Sequence, residues 1–142
     1  MSAGPELLRA MPVLQVADVK RSEAFYCQKL GFRSHGCWGE GPDFAIVQRG
    51  QVTIAFDRTR QPGHSATNQY WAAYLYVSDV TALCAAFAEK GITPIRGPED
   101  TPYGLRDIDI KDPDGHIIAF GQDLEAGKAG PGLEPSNKSD KP

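Results

Sequence analysis

The chain has 142 residues, of which 41% are hydrophobic and 23% are charged, and its formal net charge is -3. This composition is typical of an ordinary globular protein that is large enough to bury a core. The acidic balance supplies no basic surface for DNA or RNA, and no window approaches the length of a membrane span or a signal peptide. We therefore expect a cytoplasmic protein without a nucleic-acid partner or a membrane partner.

A β-strand followed by a helix is predicted twice, about sixty residues apart. In the first copy, a weakly alternating strand over residues 11–17 leads through Asp18 into a helix over residues 20–30, which Gly31 ends. In the second copy, a strand over residues 70–77 leads through Asp79 into a helix over residues 80–90, which Gly91 ends. Each Asp can accept hydrogen bonds from the first backbone N–H groups of its helix. The repeat indicates two copies of one small module, an arrangement that encloses cavities where ligands bind.

Three further strands are predicted in each half. They cover residues 32–38, 44–49 and 51–57 in the first half, and residues 92–96, 105–111 and 117–120 in the second. The chain is thus predicted to be an α+β protein with two βαβββ modules, at residues 11–57 and 70–123. Residues 1–10 form an N-terminal arm, residues 58–69 a linker, and residues 124–142 a tail whose polar composition predicts disorder.

The three cysteines, Cys27, Cys37 and Cys84, fit neither an even disulfide framework nor a Cys-x-x-Cys motif. We interpret them as reduced thiols, with Cys27 and Cys84 packing in the helices. The sequence contains no Gly-x-Ser-x-Gly, phosphate-loop or dinucleotide motif. A cysteine and a histidine brought together by the fold stay open as an alternative nucleophile arrangement.

Four segments together resemble a known superfamily over about residues 10–122. They are Met11-Pro12-Val13-Leu14 running to Asp18, Ala24-Phe25-Tyr26, Leu30-Gly31-Phe32, and Asp112-Pro113-Asp114-Gly115-His116. Their order and spacing resemble the glyoxalase, bleomycin-resistance and extradiol-dioxygenase superfamily, which has the vicinal oxygen chelate fold. The resemblance implies curved mixed sheets around a concave groove, with helices on the convex side. Its members include metal-dependent isomerases, transferases and dioxygenases, and also metal-free proteins that sequester an antibiotic.

The positions at which this resemblance implies metal ligands hold Met11, Ala72 and Ala119, with a further position at or near Ile54. None of these side chains offers an oxygen or an imidazole nitrogen to a divalent ion. The three histidines, His35, His64 and His116, are not expected to form a substitute site, and His116 is expected to have a structural role in its turn. The sequence therefore predicts no metal, no cofactor and no catalytic residues.

Aromatic residues supply the remaining signal. The stretches that match the groove of the metal-free binders contain Phe44, Tyr74 and Tyr103, and Trp38 and Phe56 lie in the same strands. Such rings can stack on a planar ligand, so we predict all five as ligand-binding residues. The alternative for each ring is core packing, which we predict for Phe25, Phe32 and Phe120. Tyr76 shares the parity of Tyr74 and either faces the groove or packs between the modules.

Carboxylates supply a second signal. Asp107 and Asp109 alternate with Ile108 and Ile110, so one strand face is apolar and the other is acidic. If the isoleucines meet the second helix, both carboxylates point toward the groove, where Glu40 and Asp43 extend an acidic rim that attracts a cationic ligand. The alternative is an ordinary solvated strand face.

The sequence as a whole predicts a metal-free small-molecule-binding protein that captures an antibiotic in an aromatic and acidic groove, as the bleomycin-resistance proteins do. The expected ligand is a cationic glycopeptide antibiotic, and the resemblance implies a homodimer. The alternatives are a metal-dependent lyase, isomerase or dioxygenase of the same superfamily, and a structural or orphan binding module.

Overall fold

The computed structural model describes residues 4–60 and 70–125. Most of the predicted linker and nearly all of the predicted tail, together with His64, lie outside the described residues. The chain divides into two compact units, residues 1–66 and residues 67–142. Each unit is described by itself.

The first unit contains one helix and one mixed sheet. In chain order its elements are β1 (Val13–Val16), α1 (Val19–Gln28), β2 (Arg33–Trp38), β3 (Phe44–Arg49) and β4 (Val52–Arg58). The four strands lie in the order β1-β4-β3-β2, with β1 parallel to β4 and the other pairs antiparallel. The predicted first βαβββ pattern is therefore confirmed.

The second unit repeats this arrangement. Its elements are β5 (Trp71–Tyr76), α2 (Val80–Glu89), β6 (Arg96–Asp100), β7 (Leu105–Lys111) and β8 (Ile117–Asp123). The strands lie in the order β5-β8-β7-β6, with β5 parallel to β8 and the other pairs antiparallel, as in the first unit. The two sheets and two helices confirm the predicted α+β fold.

Both helices begin at the predicted Asp. The Asp18 carboxylate accepts a hydrogen bond from the backbone N–H of Arg21 at 3.1 Å, and the Asp79 carboxylate accepts one from Ala82 at 3.0 Å. These bonds satisfy helix N–H groups that have no partner within the helix. Each helix has ten residues, and no helix in the described residues is long and apolar enough to cross a membrane.

One predicted strand is misplaced. The sequence predicts a strand over residues 92–96, whereas β6 spans Arg96–Asp100. The strand contains Gly97 and Pro98; it is an edge strand whose pairing with β7 shifts between Arg96 and Glu99. A proline is tolerated at such an irregular edge because no ladder hydrogen bond needs its missing N–H. Arg96, the last residue of the predicted strand, is the first residue of β6 and pairs in register with Asp109.

The core of each unit lies between its helix and one face of its sheet. In the first unit, the fully buried Tyr26 ring of α1 packs on Phe32 at 5.7 Å and on Phe56 at 4.8 Å between ring centroids. In the second unit, Phe87 of α2 packs on Phe120 at 5.3 Å. Phe32 and Phe120 are buried, as predicted, and Phe25 is half-buried at the edge of the Tyr26 ring.

The cysteines form no disulfide. Cys27 and Cys84 are half-buried in α1 and α2, and Cys37 is half-buried in β2. Burial is the main cause that raises the pKa of Cys27 and of Cys37 above the ordinary thiol value. Both thiols are therefore protonated and weakly nucleophilic at neutral pH.

Candidate functional site

The second unit contains a cavity of about 370 Å³ with an aromatic lining. We call it the aromatic cavity, and its lining residues are Trp71, Tyr74, Tyr76, Tyr103 and Leu105. The volume is at the lower end of the range for small-molecule sites. The cavity brings together two of the predicted ligand-binding residues, Tyr74 and Tyr103, and adds Trp71, which the sequence analysis did not single out.

Strand alternation places the cavity on the sheet face opposite α2. On β7, Ile108 pairs in register with Phe120, which packs on the helix, whereas Asp107 pairs with Gly121. Successive side chains of a strand point to opposite faces. Leu105, Asp107 and Asp109 therefore share the face that does not meet the helix. The predicted division of β7 into an apolar face and an acidic face is thus present.

Three aromatic rings of β5 lie side by side at the cavity. The Trp71 and Tyr74 centroids are 4.9 Å apart with planes inclined by 67°, and the Tyr74 and Tyr76 centroids are 5.2 Å apart with planes inclined by 56°. Simple alternation would place residues 71 and 74 on opposite faces. The pairing of β5 with β8 shifts between Trp71 and Ala73, which is a β-bulge. Alternation in the sequence gives no signal of this bulge, which is why Trp71 was missed.

Asp107 orients the rings of Tyr74 and Tyr103 through hydrogen bonds. Its side chain is fully buried, and its Oδ2 accepts hydrogen bonds from the Tyr74 hydroxyl at 2.9 Å and from the Tyr103 hydroxyl at 2.8 Å. The other oxygen, Oδ1, accepts a hydrogen bond from Nη2 of Arg96 at 2.7 Å. Hydrogen bonds to a charged acceptor are stronger than neutral ones. One buried carboxylate therefore fixes the orientation of both phenols.

Asp109 orients the Trp71 ring in the same way. Its Oδ1 accepts a hydrogen bond from Nε1 of Trp71 at 3.0 Å, and its Oδ2 accepts one from Nε of Arg96 at 2.8 Å. Arg96 also pairs with Glu99 on its own strand. We call Arg96, Glu99, Asp107 and Asp109 the carboxylate network. Arg96 was missed as a site residue because its partners Asp107 and Asp109 lie 11 and 13 residues further along the chain, on another strand.

Gly121 makes room for the Tyr74 ring. A Cβ atom at Gly121 would lie 2.0 Å from the Tyr74 hydroxyl oxygen and 2.6 Å from the ring carbon that carries it. Both distances are far below van der Waals contact, so the ring can occupy its position only over a glycine. A glycine inside a strand often marks such a close approach.

The two phenols that donate to Asp107, those of Tyr74 and Tyr103, stay protonated near neutral pH. Burial, and next the hydrogen bond to Asp107, raises the pKa of Tyr74 well above the ordinary tyrosine value. The same two causes raise the pKa of Tyr103. The hydrogen bond to Asp109 is the main cause that raises the pKa of Arg96. Both phenols therefore remain hydrogen-bond donors, and neither is suited to proton transfer at neutral pH.

The first unit has a cavity of its own, of about 550 Å³. Its lining is more polar and includes Arg9, Met11, His35, Trp38, Gln48 and Thr53. Trp38 is 48% exposed and lies 6.2 Å from the Phe44 ring between centroids. Trp38, predicted to bind ligand, therefore lines a cavity, whereas Phe44 contacts Trp38 without belonging to the lining residues.

Phe56 is not a cavity residue, contrary to the prediction. It is fully buried and packs on Tyr26 of α1. Ile54 shares its parity on β4 and is also fully buried. Even-numbered residues of β4 face the helix, so the period of the strand, rather than proximity to other aromatic residues, decides the role of Phe56.

The carboxylates do not form the predicted exposed acidic rim. Asp107 is fully buried and Asp109 is 7% exposed, and the oxygens of both accept hydrogen bonds from Arg96 and from aromatic side chains. The alternative of a solvated strand face is wrong for the same reason. In the first unit, Asp43 accepts a hydrogen bond from Nε of Arg58 at 2.8 Å, while Glu40 is exposed.

The positions implied for metal ligands do not fit a metal. Ala119 pairs in register with Tyr74 on one side and with Asp109 on the other. The Asp109 carboxylate accepts a hydrogen bond from Nε of Arg96, so it is already engaged within the protein. Within residues 4–60 and 70–125, no three His, Cys, Asp or Glu side chains converge in a group that could hold an ion. His116 is buried, and its backbone N–H donates to Asp112 at 2.9 Å within the turn. We derive no chemistry through a metal at these residues.

Comparisons with known proteins agree with this architecture. A sequence model of the Glyoxalase/Bleomycin resistance protein/Dioxygenase superfamily matches residues 8–120. The chain is 26% identical over 135 residues to the bleomycin resistance protein of Geobacillus stearothermophilus, covering 84% of this chain and all of that protein.

Solved structures give the same result. The bleomycin-binding protein of Streptomyces verticillus, crystallised with copper(II)-bleomycin, is 26% identical, with a TM-score of 0.66 over 82% of this chain and 96% of that chain. A glyoxalase-related enzyme from Clostridium phytofermentans is 19% identical, with a TM-score of 0.70 over 86% of this chain and 99% of that one. The second likeness concerns the fold alone. Because the superfamily model spans most of its length, the chain belongs to the Glyoxalase/Bleomycin resistance protein/Dioxygenase superfamily.

Proposed function

We propose that this protein captures a small molecule of the antibiotic class by stoichiometric binding in the aromatic cavity. The observation that carries the proposal is the buried carboxylate of Asp107, which holds the rings of Tyr74 and Tyr103 at the cavity through hydrogen bonds within the protein. Side chains that are already ordered lose little further freedom on binding. Ring faces in a concave site can then contribute both apolar burial and aromatic contact to the affinity.

Binding fits the chemistry of the cavity better than catalysis does. The two phenols have raised pKa values, and the carboxylates Asp107 and Asp109 are engaged by Arg96. Neither phenol is therefore suited to take up and release a proton near neutral pH. The implied metal positions hold Met11, Ala72 and Ala119, which cannot polarise a substrate. Sequestration requires none of these chemical functions.

The relatives support an antibiotic as the ligand. One is a bleomycin resistance protein, and the other was crystallised with copper(II)-bleomycin. We propose that Trp38 and Phe44 form a separate aromatic contact surface for a ligand within the first unit. A cytoplasmic homodimer, metal-free as isolated, completes the proposal and rests on composition and on the superfamily resemblance.

Calorimetric titration with metal-free and copper-loaded bleomycin tests the proposal. Micromolar or tighter binding, about 8 kcal/mol or more, is expected, together with stoichiometric protection of DNA from cleavage by the drug. The Tyr74→Ala variant should lose affinity, whereas Tyr70→Ala, an exposed ring outside the cavity lining, serves as the matched control. Absence of both heat and protection would refute bleomycin capture.

Elemental analysis and light scattering test the remaining parts. Stoichiometric zinc, iron, manganese or nickel in the purified protein would favour the metal-dependent enzyme alternative and contradict our interpretation of Met11, Ala72 and Ala119. Size-exclusion chromatography with light scattering should give twice the mass of the chain, and a monomer at micromolar concentration would refute the dimer.

A further inference from the structure

The shape of the aromatic cavity favours a compact group over a flat one. The rings of Trp71, Tyr74 and Tyr76 are inclined to each other by 67° and 56°. A planar ligand is best held between parallel rings, whereas steeply inclined rings surround a compact group on several sides. Tyr103 adds a fourth aromatic side chain from the loop before β7. The lining therefore has the form of an aromatic cage.

The charge behind the rings is negative. The carboxylate network contains three carboxylates, Glu99, Asp107 and Asp109, and one guanidinium, that of Arg96, so its formal charge is -3 plus 1, or -2. Arg96 is not among the residues that line the cavity. A group in the cavity therefore faces ring surfaces first and a net negative charge behind them. Both features attract a cation.

The hydrogen bonding of the network restricts which cation can enter. The oxygens of Asp107 and Asp109 already accept hydrogen bonds from Tyr74, Tyr103, Trp71 and Arg96. A primary ammonium has three N–H donors, and burying them without acceptors is unfavourable. A quaternary ammonium avoids this cost, and a tertiary ammonium reduces it to a single N–H donor. Both present the apolar surface of their alkyl groups to the rings.

We propose that the aromatic cavity binds a tertiary or quaternary alkylammonium group of the ligand. This inference rests on the proposed function and names the chemical class that the same site recognises. It departs from the expectation of an exposed acidic rim, because the carboxylates act behind the rings rather than in contact with the ligand.

Titration with choline and with its uncharged isostere 3,3-dimethyl-1-butanol tests the inference on the full chain. The two probes have the same shape, so the difference in their affinities isolates the charge. Choline should bind about tenfold more tightly than the isostere. The chain has two tryptophans, and the indole N–H signal of Trp71 in a ¹⁵N NMR spectrum should shift while that of Trp38 stays constant.

A charge variant distinguishes the effect of the carboxylate network on choline affinity from the effect of the overall charge of the protein. Glu99→Gln changes the formal charge of the network from -2 to -1 while keeping an acceptor for Arg96 on an exposed side chain. It should weaken choline binding roughly two- to fivefold and leave the isostere unchanged. Glu89→Gln, at an exposed position on α2, removes the same charge from elsewhere in the unit and should affect neither probe.

Several outcomes would overturn the inference. Equal affinity for choline and its isostere would make the cavity a general apolar site, and tighter binding of the flat neutral heterocycle quinoxaline would show that it prefers planar groups. A shift of Trp38 alone would place the ammonium elsewhere. If bleomycin binds and choline does not, the inference fails while the proposed function stands; if choline binds and bleomycin does not, bleomycin capture fails and the alkylammonium class stands.

Discussion

Replacing Gly121 by alanine should displace the Tyr74 ring from its position over β8. The new Cβ would lie 2.0 Å from the Tyr74 hydroxyl oxygen, and ordinary contact begins near 3.4 Å, so the hydroxyl must move by about 1.4 Å. Asp107 cannot follow, because it is fully buried and is also held by Arg96 and Tyr103. The 2.9 Å hydrogen bond from Tyr74 to Asp107 is therefore lost.

The size of the effect follows from two opposing contributions. Losing a hydrogen bond to a buried charged acceptor costs about 1.5–3 kcal/mol. Alanine is intrinsically better than glycine in a strand by about 0.5 kcal/mol, which offsets part of the loss. The free energy of unfolding should therefore fall by roughly 1–2.5 kcal/mol in urea denaturation, and the affinity for the proposed ligand should fall with it.

A double-mutant cycle supplies the control. In a Tyr74→Ala background the ring is absent, so Gly121→Ala should be neutral or slightly stabilising, by about 0.5 kcal/mol. The reasoning is refuted if Gly121→Ala costs the same in both backgrounds, or if it leaves the parent protein as stable as before.

Three further outcomes are expected. Phe56→Ala should lower the free energy of unfolding by about 3–5 kcal/mol, whereas Trp38→Ala, at a side chain that is 48% exposed, should change it little; the reverse order in urea denaturation would contradict our assignment of Phe56 to the core. Tyr103→Phe should cost about 1–2 kcal/mol, because it keeps the ring but removes a donor to Asp107, and an unchanged melting temperature would argue against that bond. Because the pKa of Tyr74 is raised in the folded state, the protonated phenol stabilises the fold fully below the ordinary tyrosine pKa of about 10, and this stabilisation is lost as the pH rises further. The free energy of unfolding of a Tyr74→Phe/Tyr103→Phe variant should therefore fall less over that alkaline range than that of the parent protein. An equal fall in both proteins would contradict the assignment.

The order of the elements could be predicted from the sequence because its signals are local. Asp18 and Asp79 cap their helices as predicted, and the alternation of Asp107 with Ile108 gives the correct face of β7. These patterns depend on neighbours in the chain, where helix and strand periods apply directly.

The site could be predicted only in part because its contacts join distant residues. The faces of Asp107 and Asp109 were correct, but their partner Arg96 was not identified, so two internal acceptors were interpreted as part of an acidic rim. Phe56 was misassigned because its nearness in sequence to other aromatic residues, rather than the face of β4 on which it lies, was used as the signal. No pattern in the sequence indicated that Gly121 accommodates Tyr74.

The β-bulge in β5 has a consequence for how this protein is compared with its relatives. Between Trp71 and Ala73 the strand contains one residue more than its partner strand β8, and this extra residue decides which side chains face the cavity. An insertion or deletion of a single residue at this point would exchange the set of side chains on that face without altering any of them. Two family members with the same side chains on both sides of such an insertion can therefore present different surfaces to a ligand, and strand register must be compared together with residue identity.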